Sequence, residues 1–414
     1  MKTLLRAFCF GLLLALASCR WAPPVGVDDD GYRFPEQILT QTQMRKEIEE
    51  KQARLIDFLR RQKLGGIWLG LDANVSWITA GISCALSVSD HDNVASAFIR
   101  DDGKRYLILP ANMLGSAKEE LRSVGFEIKE VAWHENQPGQ NTSGTLLHEL
   151  CLGGRAFGSD SPLPGAQEVG DEIRTLRMRL TETEIRKFRW LGKVSAEALE
   201  AVCRRIAPGM TERGIETLTA TELQRRAIRP LALSVTADAR VVSRDPQYPP
   251  GTLKVENYAS IRVHASRWGL MVALIRSVHF GALPEGLRQD MVAAARVNAG
   301  FWARTVPGAT AGGILHGAIE DYAAVRHSDA WKTQPQGGAI GYTLYEWQAK
   351  PGSGILLHSN EAFAWSPAAG NVRICETLLL LEDTIEILTA TNDWPMLESK
   401  ALGKIYRTPA ILIR

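Results

Sequence analysis

Apolar and polar positions repeat with two periods along the chain, and these periods predict its helices and strands. Leu55, Phe58 and Leu59 recur at helical spacing and predict an amphipathic helix over 41–63. Short apolar runs beyond it predict strands. The expected elements are strands over 67–71, 77–79, 95–100, 106–109 and 127–132, and a helix over 114–124. Strands interleaved with helices indicate an α/β domain, which we place at 41–175.

The second half begins with a helix-capping pattern. Thr181 is followed three residues later by Glu184, which predicts a helix start because the two side chains satisfy free N–H groups of the first turn. Further patterns predict helices ending near 206, 223, 304 and 325, and strands over 231–236, 258–265, 269–279, 346–349, 361–365, 373–382 and 385–389. We therefore expect an α/β (α+β) chain with a second domain at 180–396 and a C-terminal tail at 397–414.

The N-terminus has the pattern of an exported lipoprotein. Lys2 and Arg6 precede an apolar run over 7–17 that is too short to span a bilayer, and small residues lead to Cys19. We expect residues 1–18 to be a signal peptide, Cys19 to be lipidated, and 19–40 to be a tether at a bacterial cell envelope. The other interpretation is a buried N-terminal helix. The pattern does not say which membrane leaflet would hold the anchor.

Composition narrows the classes of partner. The chain has 45% hydrophobic and 23% charged residues, as a globular protein with a core does, and a formal net charge of +2. No basic run with interleaved aromatic residues occurs, so nucleic acid is not expected as a partner. Cys84, Cys151, Cys203 and Cys375 show no metal-binding spacing, and their pairing in disulfides stays open.

Five blocks of the second half carry a resemblance to a known superfamily. They are the helix over 180–206 with Ala207–Glu212, the segment Gly269–Gly281, the glycine turn Gly337–Gly341, Phe363–Pro367 and Val372–Thr377. In order and spacing they resemble the pita-bread superfamily of methionine aminopeptidase, aminopeptidase P, prolidase and creatinase. The resemblance implies a curved antiparallel sheet with two helix pairs, preceded by a creatinase-like N-terminal domain. It also allows a homodimer.

The same resemblance implies that the metal site is degenerate. Peptidases of the superfamily hold two divalent metals through two aspartates, one histidine and two glutamates. These positions fall on Arg262, Ala273, Gly338, Ser366 and Cys375. Hard divalent ions prefer carboxylate and imidazole ligands, and a guanidinium repels them. A shift of one residue would recover Glu376 alone, so we expect no metal and no cofactor.

Three residues remain as candidates for catalysis. Strand alternation places His264 on the same face as Arg262, either in a cleft or as a solvated histidine at a strand end. Glu346 follows the glycine turn and either approaches a substrate or pairs with Arg276 or Arg262. Glu376 points inward or outward according to strand phase. The candidates for substrate binding are Arg262, Arg276, Tyr342, Gly337 and Gly338.

Three functions are compatible with these residues. The first is a lipid-anchored homologue of Xaa-Pro aminopeptidases without metals, which binds a peptide, a protein or a small molecule in its cleft without catalysis. The second is a metal-independent, creatinase-like hydrolase of a small amide or guanidino compound, with His264 as the base. The third is an active Xaa-Pro metalloaminopeptidase. Whether the protein is an enzyme stays open at this point.

Overall fold

The computed structural model describes residues 40–82, 95–110, 115–132, 146–147, 149–151, 154–238 and 250–414. The expected signal peptide, Cys19, the tether up to residue 39 and Cys84 lie outside these ranges. None of the described helices is long and apolar enough to cross a membrane.

The N-terminal part contains one mixed sheet of six strands with helices packed beside it. Its strand order is β4-β3-β2-β1-β5-β6, and the β3–β4, β1–β5 and β5–β6 pairs are parallel. The elements are α1 (Gln41–Gln62), β1 (Gly66–Leu69), α2 (Asp72–Ile78), β2 (Ser96–Arg100), β3 (Arg105–Pro110), α3 (Gly115–Ser123), β4 (Glu127–Val131), β5 (Gly158–Ser159), β6 (Gln167–Glu168) and α4 (Gly170–Met178). The α/β character expected from the sequence is confirmed.

One predicted strand of this part is a helix. Residues 77–79 were expected to be extended, but Trp77 and Ile78 end α2, and Thr79 caps it. Residues Asn74 to Ile78 of this short helix are all buried. A short helix that is buried on every side shows no polar face, so its apolar run has the same pattern as a buried strand.

Over residues 180–238 and 250–414, the structure describes two larger sheets, four α-helices, a 3-10 helix and two small hairpins. Strand order is β19-β9-β8-β7 in one sheet and β11-β10-β12-β15-β16 in the other. The elements are α5 (Glu182–Arg205), α6 (Glu212–Gln224), β7 (Arg229–Ala237), β8 (Tyr258–Arg267), β9 (Leu270–His279), α7 (Glu285–Arg304), α8 (Ala311–Ala324), a 3-10 helix (Ala330–Thr333), β10 (Gly337–Ile340), β11 (Trp347–Gln348), β12 (Glu361–Trp365), β13 (Ala368–Ala369), β14 (Val372–Arg373), β15 (Glu376–Leu380), β16 (Ile385–Ile387), β17 (Met396–Ala401), β18 (Lys404–Pro409) and β19 (Leu412–Ile413).

Two boundaries differ from the sequence-based expectation. The strand expected over 373–382 is divided, because β14 turns back on β13 through Gly370, whose φ is +55°. The strand resumes at Glu376 and pairs with β12. The segment expected as a C-terminal tail forms a hairpin of β17 and β18, and β19 then pairs in parallel with β9. The chain end is thus part of the second-half fold.

The predicted helix cap is confirmed. Thr181 Oγ1 accepts a hydrogen bond from the backbone N–H of Glu184, and the Glu184 carboxylate accepts one from the backbone N–H of Thr181 at 2.7 Å. Helices α7 and α8 pack on the second sheet through a buried apolar cluster. The aromatic members of that cluster are Phe301, Trp302, Tyr322, Trp347, Phe363 and Trp365.

A buried ionic network joins α1 to the C-terminal part. Glu47 accepts hydrogen bonds from Lys51 and from Lys187 of α5, at 2.5 and 2.9 Å. Lys51 also pairs with Glu184 at 2.9 Å, and Glu184 accepts a hydrogen bond from the Tyr342 hydroxyl at 2.7 Å. Since each of these buried charges faces an opposite charge, truncating one would leave its partner unpaired in a water-free site. The network fixes the first helix against the glycine turn.

Candidate ligand-binding cavity

A cavity of about 960 Å³ lies over one face of the β7–β8–β9 sheet. Tyr258, Ser260, Arg262 and His264 reach it from β8, because alternate side chains of a strand point to one face. The opposite walls come from the segments around the 3-10 helix, β11 and β14. They contribute, among others, Asp329, Gln334, Tyr345, Gln348, Ser366 and Arg373. The cavity volume lies within the range of small-molecule sites.

Arg262 and His264 lie side by side in this cavity, on one strand face as the alternation of β8 predicted. Arg262 Nη2 is 3.5 Å from His264 Nε2. His264 is buried, and its Nδ1 has no hydrogen-bond partner within the described ranges. Burial, and after it the nearby Arg262 charge, together lower the pKa of His264 to about 4. The imidazole is therefore neutral at pH 7.

We expect this pKa to rise when Arg262 is replaced. In Arg262→Gln the repulsion between guanidinium and imidazolium is gone, while the larger effect of burial remains. The pKa of His264 should move upward from about 4 but stay below the ordinary 6.5. An NMR titration of the imidazole protons, with His264→Gln to assign the signal, measures it. An unchanged pKa in Arg262→Gln would contradict the contact.

The cavity carries an excess of positive charge. Arg373 faces Arg262 across it, and burial followed by repulsion from Arg262 lowers the pKa of Arg373 to about 10, so the Arg373 guanidinium is charged at pH 7. In the described part of the chain, no carboxylate pairs with either arginine. Arg262 contacts neutral groups, His264 and the Tyr345 hydroxyl. Asp329, on the cavity wall, pairs with Lys332 at 2.8 Å. The site suits an anion better than a cation.

The five residues that the sequence resemblance aligns with metal ligands do not fit divalent metals. Ala273 has no donor atom, and Arg262 brings a positive charge. Burial raises the pKa of the Cys375 thiol to about 11, which keeps it protonated. A Cβ on Gly338 would lie 2.0 Å from the carbonyl oxygen of Trp347, so no side chain fits there. Among the described residues, no three His, Cys, Asp or Glu side chains are grouped to hold a metal.

Glu346, a candidate for orienting a substrate, binds other protein groups and does not line the cavity. It is buried and forms an ion pair with Arg177 of α4, whose Nε donates to Oε1 at 3.1 Å. Its carboxylate also accepts hydrogen bonds from the backbone N–H groups of Tyr342 and Thr343, at 3.0 and 3.2 Å. Glu346 therefore holds the glycine turn against α4. Its salt-bridge partner is neither Arg276 nor Arg262.

Glu376 and Arg276 form a second buried ion pair away from the large cavity. Arg276 donates to Glu376 at 2.6 Å and to Glu200 of α5 at 3.0 Å, and to the carbonyl oxygen of Thr389 at 2.6 Å. Glu376 also accepts from the Thr389 hydroxyl at 2.6 Å. Burial raises the pKa of Glu376 to about 7, against the opposing effect of Arg276. Both side chains are satisfied inside the protein and do not face the cavity.

The remaining binding candidates also lie outside the cavity lining. Tyr342 is buried between Lys51 and Glu184. Gly337 and Gly338 pair with β12 in the middle of the second sheet, and Gly337 has a φ of +108°, which only glycine adopts without strain. Of the predicted site residues, the structure brings Arg262, His264 and Ser366 into the cavity. It reveals Arg373 and Tyr345 as additional members.

Cys151, Cys203 and Cys375 are buried and free in this structure. Cys375 packs beneath the cavity close to Ser366 and Arg262. With its pKa raised to about 11, its thiol is a poor nucleophile at neutral pH. This cysteine fills space beside the cavity.

Solved structures of similar fold include several peptidases. The chain is similar to dipeptidase PepE from Mycobacterium ulcerans, with a TM-score of 0.69 and 15% identity over 89% of this chain and 98% of that one. It is similar to X-Pro aminopeptidase from Thermotoga maritima, with a TM-score of 0.69 and 17% identity over 88% of this chain and 99% of that one. It is also similar to prolidase from Pyrococcus horikoshii, with a TM-score of 0.67 and 17% identity over 83% of this chain and 99% of that one. No protein-family model and no curated protein matches the sequence. The protein therefore has the fold of the pita-bread superfamily.

Proposed function

We propose that this protein is a metal-free, non-catalytic relative of Xaa-Pro peptidases that binds a peptide or small molecule in its cavity. The observation that carries the proposal is the combination of a retained cavity with unsuitable residues at the family metal positions. A site that holds two metals needs several carboxylates around one point, and here that place has Arg262 and a protonated Cys375. The cavity keeps room for a ligand of ordinary size.

The N-terminal pattern at Cys19 extends this proposal to the cell envelope. A lipid anchor followed by a polar tether would hold the binding cavity outside the cytoplasm, at a bacterial membrane. The supporting observations are the positive residues, the apolar run and the small residues before Cys19. Radiolabelled palmitate incorporation, compared between the wild-type chain and Cys19→Ser, tests the anchor separately from the cavity.

We expect the purified chain to contain less than about a tenth of an equivalent of Mn, Co or Zn, because its donor set does not favour these ions. It should not hydrolyse Xaa-Pro dipeptides when these metals are added. Elemental analysis together with a turnover assay measures both. Bound metal near one or two equivalents, with hydrolysis that a chelator abolishes, would overturn the proposal.

A metal-independent hydrolase is the second candidate, and one observation favours it. His264 faces the cavity as a neutral imidazole, the form that a general base requires. Against it, neither Glu346 nor Glu376 reaches the cavity to orient a substrate. A turnover screen with small guanidino and amide compounds tests it: activity lost in His264→Gln would support this candidate over the first.

A further inference from the structure

We infer that Arg262 and Arg373 form a binding site for an oxyanion, a carboxylate or a phosphate, at the position where related peptidases hold metals. The inference rests on the proposed function, since it names the ligand class of the same cavity. Both guanidiniums line the cavity together with hydroxyl and amide groups from Tyr345, Ser366 and Gln348. Guanidinium groups bind such oxyanions through paired N–H donors.

The first argument is that the two positive charges are not neutralised by the protein. Two arginines that are buried more deeply than Arg262 and Arg373 both have carboxylate partners. Arg276 binds Glu376 and Glu200, and Arg177 binds Glu346. Arg262 and Arg373 form no ion pair with any carboxylate in the described ranges, and the charge of Arg262 disfavours the charged forms of both Arg373 and His264. A pair of repelling cations is unfavourable unless an anion joins them.

The second argument is that the surroundings favour a small charged group over bulk water alone. His264 Nδ1 is buried and has no partner among the described residues, although its side chain lines the cavity. The wall opposite β8 adds polar side chains from Gln334, Gln348 and Ser366. Hydroxyl and amide groups of this lining can donate hydrogen bonds to a bound oxyanion and to its waters.

The third argument is positional. The sequence resemblance aligns Arg262 with the first metal ligand of the peptidases, and Ser366 and Cys375 with the last two, so the guanidinium replaces a ligand of a divalent cation. Arg373 approaches from β14, next to these residues in sequence. The positive charge of this cavity therefore comes from arginine side chains where the peptidases have metal ions, and it also attracts an anion.

Calorimetric titration of the purified full chain with inorganic phosphate and with acetate, at constant ionic strength in a chloride buffer, tests this inference. We expect saturable binding of at least one anion, weakened about tenfold or more in Arg262→Gln and in Arg373→Gln, because removing one member of a charge pair has effects of this size. Arg288→Gln removes the same charge from an exposed position on α7 and should leave the binding unchanged. Equal binding in all four proteins, or none to the wild type, would overturn the site.

A stability measurement distinguishes a ligand-binding arginine from a structural one. In chloride buffer, Arg262→Gln should melt at the same temperature as the wild type or higher, since it removes a repulsion with Arg373. Phosphate or acetate should then raise the melting temperature of the wild type and not that of the variant. A variant that melts lower without anion, and gains as much from anion as the wild type, would assign Arg262 a structural role and contradict the inference.

The dipeptide Gly-Pro and its C-terminal amide separate the two sources of the oxyanion. Binding of Gly-Pro and acetate but not the amide indicates the C-terminal carboxylate of a peptide; phosphate binding tenfold or more above acetate indicates a phosphoryl group. Both outcomes support the oxyanion site. This inference would be overturned if Gly-Pro and its amide bind equally well and if Arg262→Gln leaves their binding unchanged. That result would leave the proposed metal-free binding function intact, because the metal and turnover assays test that function separately.

Discussion

Replacing Arg276 with methionine should lower the free energy of unfolding by about 3–5 kcal/mol at pH 7, because it leaves two buried carboxylates without their cation. Glu200 and Glu376 both bind this guanidinium, and all three side chains are almost fully inaccessible to water. Methionine fills most of the space of the Arg276 side chain, so the loss of unfolding free energy comes mainly from the unpaired carboxylates and not from a cavity. Denaturant unfolding of the wild type and Arg276→Met measures the difference.

The loss of unfolding free energy in Arg276→Met should increase with pH. Burial raises the pKa of Glu376 to about 7, and Arg276 opposes that rise, so the pKa goes higher still without the arginine. A carboxyl whose pKa is higher in the folded state than in the unfolded state loses stability as pH rises through that interval. Arg276→Met should therefore be closest to the wild type near pH 5 and furthest from it at pH 8.

A matched control is available on the protein surface. Arg288 on α7 pairs with Glu285 while both remain largely exposed, and Arg288→Met should change the free energy of unfolding by less than about 0.5 kcal/mol. A loss in Arg276→Met no greater than that of the control would contradict the buried ion pairs. The same variant should keep its anion binding, since Arg276 does not face the cavity.

Local signals predicted most of the fold. The long helices α1, α5 and α7 have a polar and an apolar face, and the Thr181 cap begins α5 where expected. Strand β12 was predicted with its observed ends, since Pro367 follows it closely. The failures share a cause: residues Asn74 to Ile78 of α2 are all buried, and β14 pairs with β13 through the turn at Gly370 and ends before β15 begins. In both places the backbone conformation depends on tertiary packing, and a short stretch of sequence carries no information about that packing.

The site was predictable only where one strand supplied it. Arg262 and His264 are two residues apart on β8, so alternation was enough to place them together. Arg373 meets Arg262 from a segment about a hundred residues later, and Arg177 meets Glu346 across 169 positions. Charge partners at such separations leave no periodic signal. This is why Glu346 and Glu376 stood as candidates for chemistry although arginines neutralise them inside the protein.

Gly338→Ala should be among the most destabilising small substitutions in the chain, with a loss of about 3 kcal/mol or more. An added Cβ would lie 2.0 Å from the Trp347 carbonyl oxygen and 2.9 Å from the Gln348 Cα, both backbone atoms of β11. Backbone atoms in a paired strand cannot move aside as the end of a flexible side chain does, so β11 would have to separate from β10. Denaturant unfolding measures the loss.

Gly286→Ala is the control, because it lies in α7 with no atom within 4 Å of the added Cβ and should be neutral or slightly stabilising. If Gly338→Ala changes the free energy of unfolding no more than Gly286→Ala does, β11 does not approach Gly338 as closely as the structure shows. The result also bears on the proposed function, because the sequence resemblance aligns Gly338 with a metal-binding histidine of the peptidases. Gly338→His should therefore unfold more readily and bind no Mn, even together with Arg262→Asp and Ala273→Asp. Stable binding of Mn by that triple variant would show that the strands can still open to admit the imidazole, and that the fold itself does not exclude metal.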